Sequence, residues 1–160
     1  MKRFSVICVL LALALPGASA ARPGAPGDGT LAVRGGVARI VIQVRGAVIG
    51  RLDHGSVTIK DPIADDGTGP IVNGYEVTKD INDTTTRWAG TNVRFRDIGG
   101  RFTLIVVGSG IDLAAVGKGN LTLLGDKNAD DDGTFSVNGA APQPILTVLQ
   151  QFTFGTPPPG

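Results

Sequence analysis

The chain has 160 residues, with 15 Lys and Arg against 14 Asp and Glu and a formal net charge of +1. That balance excludes a protein that binds polyanions by bulk charge and an acidic solvating tail. One cysteine and one histidine exclude a disulfide framework and a zinc site built from His and Cys.

Residues 1–20 read as an export signal. Lys2 and Arg3 give a basic start, residues 4–15 an apolar run, and Ala18-Ser19-Ala20 a small-residue cleavage site. The run is shorter than the ~20 residues a membrane-spanning helix needs. Cleavage would leave 140 residues, with 13 basic against 14 acidic side chains and a net of −1. A chain of that size buries about 68–70% of its unfolded surface as one domain. Cys8 leaves with the signal, so stability must come from core packing and sheet hydrogen bonds.

Residues 21–29 are a leader rich in Gly and Pro, without periodicity. Leu31 and Val33 open a strand, and Gly35-Gly36 predicts a turn. Residues 38–45 alternate, with Ile40, Ile42 and Val44 on one face and Arg39, Gln43 and Arg45 on the other. Asp53-His54-Gly55 predicts another turn, and Val57 and Ile59 mark the next strand. Residues 62–74 read as a loop, followed by short strands at 75–79 and 84–88. At 92–96, Val93 and Phe95 point inward and Arg94 and Arg96 outward. Residues 102–107 are apolar on both faces, which predicts a central strand covered on both sides. Residues 112–116 fit one helical turn. Residues 145–154 form the last strand or pair, and 155–160 is a proline-rich tail.

The chain repeats itself. Arg39, Ile42, Val44 and Gly46 align with Arg101, Leu104, Val106 and Gly108. After two inserted residues, Gly55-Ser56-Val57-Thr58-Ile59 aligns with Gly119-Asn120-Leu121-Thr122-Leu123. Asp65-Asp66-Gly67-Thr68 is echoed by Asp131-Asp132-Gly133-Thr134, and Val72-Asn73-Gly74 by Val137-Asn138-Gly139. Gly46 and Gly108 each follow a long strand, where a missing side chain permits a bulge or corner. Strands with glycine and aspartate turns, and no long helical pattern, predict an all-β fold. The expected architecture is an antiparallel β-sandwich or barrel of two similar halves, with little helix. The domain would span 30–154, its halves about 30–90 and 91–154.

No catalytic pattern emerges. His54 lies in a predicted turn, and no Gly-x-Ser-x-Gly elbow places a serine near it. Hydrolysis by paired aspartates remains a formal third reading, without an apolar shelter to raise one pKa. Two constellations qualify as binding sites. Asp126, Asn128 and Asp130, with Asp132, place oxygens at alternate positions, as the opening of a Ca²⁺ loop does. Asp131 stands where such a loop wants glycine, and no glutamate closes it, so a solvated hairpin loop is the first reading. Arg87, Trp88, Arg94 and Arg96 bring guanidinium groups and an indole onto neighbouring strands, a set suited to acidic polymer or sugar. Its alternative is an outward arginine row with Trp88 packed inside.

The sequence therefore predicts an exported, non-catalytic domain that binds or builds at the cell envelope or outside the cell. An envelope or extracellular polymer is the expected partner, and nucleic acid is not. No transmembrane segment is expected after signal cleavage. The runner-up is a Ca²⁺-stabilised module for carbohydrate or acidic polymer; no other cofactor is expected.

Overall fold

The computed structural model describes residues 27–63 and 66–155. The predicted signal, residues 21–26 of the leader, Ala64 and Asp65, and residues 156–160 of the tail lie outside the described residues. Seven strands and no helix make up the described chain: β1 (Gly29–Lys60), β2 (Gly67–Asn73), β3 (Val77–Asn82), β4 (Thr85–Gly125), β5 (Thr134–Val137), β6 (Gln143–Pro144) and β7 (Gln150–Phe154). All pairings are antiparallel. The order β2-β4-β1-β5-β6 ends in two edges, with β3 and β7 also on β4, so the sheet is not closed. Among the described residues no helix is long and apolar enough to cross a membrane.

Two strands dominate. β1 has 32 residues and β4 has 41. They pair with each other along both edges. Arg39 faces Val107 on one edge and Leu124 on the other; Ile59 faces Thr86 and Leu104. The two registers differ by 17 residues of β4 at Arg39, from Val107 to Leu124, and by 18 at Ile59, from Thr86 to Leu104. A two-stranded ribbon satisfies both only by winding back beside itself. The backbone groups of both long strands are thereby satisfied over most of their length, without many short hairpins.

Glycine makes the winding possible. Gly46 faces Gly117, and Gly55 faces Gly108. All four have positive φ, between 137° and 157°. A Cβ on Gly46 would overlap the carbonyl oxygen of Val116, and one on Gly108 that of His54. The backbones approach so closely at these crossings that no side chain fits.

Several expected turns are bends inside a strand. β1 runs unbroken through Gly35-Gly36 and through Asp53-His54-Gly55. Gly35 (φ 60°), Gly99 (φ 86°), Gly100 (φ 73°) and Gly110 (φ 63°) sit where the ladder register slips. A G1-type bulge and a type I′ or II′ hairpin turn draw on the same residues, because both need positive φ. The helical turn expected at 112–116 is also strand. Its residues alternate, with Leu113 and Ala115 buried and Asp112 and Ala114 half-buried, and β1 pairs it on both sides. Residues 67–73, expected as loop, form β2 on the edge of β4. The last strand is confined to β7. The boundary expected near 90/91 falls inside β4, with uninterrupted pairing from His54 and Thr91 to Gly55 and Gly90.

The inward face is one apolar core. Ile40, Ile42 and Val44 of β1 meet Phe102, Leu104 and Val106 of β4, all buried. Leu121 and Leu123 extend the layer where β4 pairs with β7, and Phe154 of β7 is sealed. Each fully buried Leu or Ile contributes about 1.5–3 kcal/mol. Arg39, Gln43 and Arg45 point outward, as their alternation requires. The stretch 102–107 is central but not covered on both faces, since Val107 is 39% exposed.

Candidate functional site

The outer face carries a groove of about 580 Å³ over adjoining passes of β2, β4 and β1. Cross-strand register builds it as two parallel rows. In the first, Asn73 pairs with Arg94, Arg94 with Arg51, and Arg51 with Asp112. In the second, Ile71 pairs with Arg96, Arg96 with Ile49, and Ile49 with Ala114. Arg34 joins the lining from the first pass of β1. Four guanidinium groups thus share one concave surface, and Asp112 is the one carboxylate among the lining residues.

Asp112 organises this surface. Its Oδ1 accepts the Gly35 amide at 2.9 Å. Its Oδ2 accepts from Arg51, from Nε at 3.1 Å and from the terminal nitrogen at 2.7 Å. The Gly35 amide first, then Arg51 and the nearby Arg34, hold the Asp112 carboxyl below its ordinary range. Asp112 in turn raises the Arg51 pKa and fixes its guanidinium. Among the described residues, Arg34, Arg94 and Arg96 form no ion pair. The carbon surface between these charges is exposed: Ile49 is 61% and Ile71 38% accessible.

The structure divides the predicted arginine and tryptophan set. Arg94 and Arg96 line the groove. Arg87 and Trp88 belong to another stretch of β4, facing Thr58 and Val57 of β1 and Lys79 and Thr78 of β3. Trp88 is half-buried against the core, and Arg87 is exposed on the opposite face. Arg34, Arg51 and Asp112 were missed because they come together through pairing between residues far apart in sequence. Their one local signal is outward placement by alternation.

The aspartate loop is bound to itself. Asp126 accepts the backbone and side-chain amides of Asn128, each at 3.0 Å. Asp132 accepts the Asp126 amide at 3.0 Å, and Asp131 the Gly133 amide at 2.8 Å. Asp130 is exposed. The Asp126 and Asp131 contacts are Asx turns, and among the described residues no three His, Cys, Asp or Glu side chains converge as a metal would require. His54 stands opposite Ser109 across the ladder.

One buried charge lies apart from all of these. Asp97 is 2% exposed, and its Oδ2 has no hydrogen-bond partner. Burial, followed by the nearby Asp61, raises its pKa from 3.8 to about 6, against the opposing Ile98 amide.

No protein-family model, curated protein or solved structure matches this chain.

Proposed function

We propose that this is an exported, non-catalytic binding domain that holds an anionic partner at the cell envelope or outside the cell. The observation that carries the reading is the groove: Arg34, Arg51, Arg94 and Arg96 converge there against Asp112 alone. Guanidinium groups are weakly hydrated and present planar donor forks to carboxylate or phosphate. Arg51 is held in place before any ligand arrives, which lowers the ordering cost of binding. The export pattern at residues 1–20 supports the location.

The rigidity of such a platform would come from a ribbon wound as a sandwich of two related halves. Two facts favour this. Arg39 and Arg45 face Val107 and Arg101, so the repeated segments lie side by side. Gly46 and Gly108 stand 62 residues apart, as do Gly55 and Gly117, and they form the two crossings. On this reading Gly55 corresponds to Gly117 rather than Gly119, and no insertion is needed.

The test is retention on immobilised polyphosphate against neutral dextran. Polyphosphate should retain the chain, with retention lost at high salt and in the double variant Arg94→Gln, Arg96→Gln. Equal retention on both matrices, or none on either, would overturn the reading.

A further inference from the structure

From the pattern of the two rows, we propose that the groove takes an anionic amphiphile, a phosphate or carboxylate head on an acyl or alkyl chain. The proposal rests on the anion-binding reading above and names the class of ligand.

Three observations carry it. The first is the mixed chemistry of the second row, where Arg96 stands between Ile71 and Ile49. Arg94 and Arg51 lie one pleat period from Arg96 and Ile49, roughly 7 Å along the strands. A head held between Arg94 and Arg96 would therefore place its attached carbon on Ile49 or Ile71, which flank Arg96. The second is the kind of apolar surface. Sugars are held by flat aromatic faces, and the indole of Trp88 belongs to the core layer elsewhere. Phe95 also lines the groove but is only 3% exposed, so the accessible carbon is branched aliphatic, which shields an alkyl chain from water but offers a sugar no stacking platform. The third is shape. A volume of about 580 Å³ suits a single small ligand, within the ~300–1,000 Å³ common for such sites.

Charge selects the sign of the head. Asp112 is occupied by Gly35 and Arg51, so it neither neutralises Arg94 and Arg96 nor offers a strong site for a cation. A polyanion alone would leave Ile49 and Ile71 against water, and a neutral detergent would leave the arginines without an anion. The amphiphile satisfies both the arginines and the isoleucines.

Calorimetric titration of the full chain decides the matter, with dodecyl phosphate below its micellar concentration, inorganic phosphate and dodecyl maltoside. Dodecyl phosphate is expected to bind at least ~10-fold more tightly than either of the others. The double variant Arg94→Gln, Arg96→Gln should weaken it ~10-fold or more, and Ile49→Thr several-fold. Both sites are exposed, and circular dichroism will verify that the variants remain folded. If inorganic phosphate binds as tightly as dodecyl phosphate, or Ile49→Thr has no effect, the amphiphile proposal fails while the anion reading stands. If dodecyl maltoside binds as well and the arginine variants are silent, both fail. If the chain binds anionic vesicles but not monomeric dodecyl phosphate, the groove is not a single-ligand site and the proposal fails. No binding to any probe, together with no retention on polyphosphate, overturns both.

Discussion

Asp112 and Asp97 lie on the same strand, on opposite faces of the sheet, and are treated in opposite ways. Outside, Asp112 is given a backbone amide and a guanidinium, and its pKa falls. Inside, Asp97 keeps an oxygen without a partner, and its pKa rises to about 6. Polar organisation is therefore concentrated on the outer face. The interior carboxyl is left as a cost, because a buried charge is stabilising only when paired. This contrast directs attention to the outer groove as the working surface.

Breaking the contrast at its interior end should give the largest change in stability. Asp97 has a folded pKa above its unfolded one. Its neutral form is favoured in the folded state, so the stability it contributes is full below about pH 4 and lost as pH rises through about 6. Asp97→Asn should thus raise Tm at pH 7.5 by roughly 3–8 °C, for ~1–2 kcal/mol, and leave it unchanged at pH 3.5. Thermal melts across this range check the sign; a variant that is less stable at pH 7.5 would contradict the account.

At the outer end the effect is smaller and opposite. Asp112→Ala removes the acceptors of the Gly35 amide and Arg51, and should cost about 1 kcal/mol at neutral pH. The Asp112 pKa is depressed, so its contribution is present above the ordinary carboxylate pKa and disappears as pH falls through the lowered folded value. Urea melts of the variant and parent should therefore converge in strong acid.

Arg94→Gln with Arg96→Gln should shift stability by less than ~0.5 kcal/mol, since among the described residues neither side chain has an ion-pair partner to lose. A large loss would mean that the arginines hold the fold rather than a ligand. The smallest change is expected at the aspartate loop. Its carboxylates already accept the loop's own amides, so millimolar Ca²⁺ should move Tm by less than ~1 °C. A clear rise that is abolished by Asp130→Ala would favour the calcium reading.

The sequence makes much of this face assignment legible. Val93 and Phe95 are buried and Arg94 and Arg96 exposed, as period-two alternation demands. The same holds for Ile40, Ile42 and Val44 against Arg39, Gln43 and Arg45. Strand length is not legible. Gly35, Gly55 and Gly110 signal positive φ, and that signal does not say whether the chain reverses or merely bends. The groove was half visible. Arg94 and Arg96 announce themselves locally, but Arg51 reaches Arg94 and Asp112 only through two registers of one ribbon, and no local pattern encodes that pairing.

A second cationic row tests how specific the groove is. Arg45 faces both Arg101 and Lys118, among Gln43, Thr103 and Asn120 rather than isoleucines. Backbone amide chemical shifts recorded by NMR during titration with dodecyl phosphate compare the two rows in one experiment. The account predicts that the changes concentrate on Arg51, Arg94, Arg96, Ile49 and Ile71. Changes centred on Arg45, Arg101 and Lys118, or spread evenly over both rows, would contradict it.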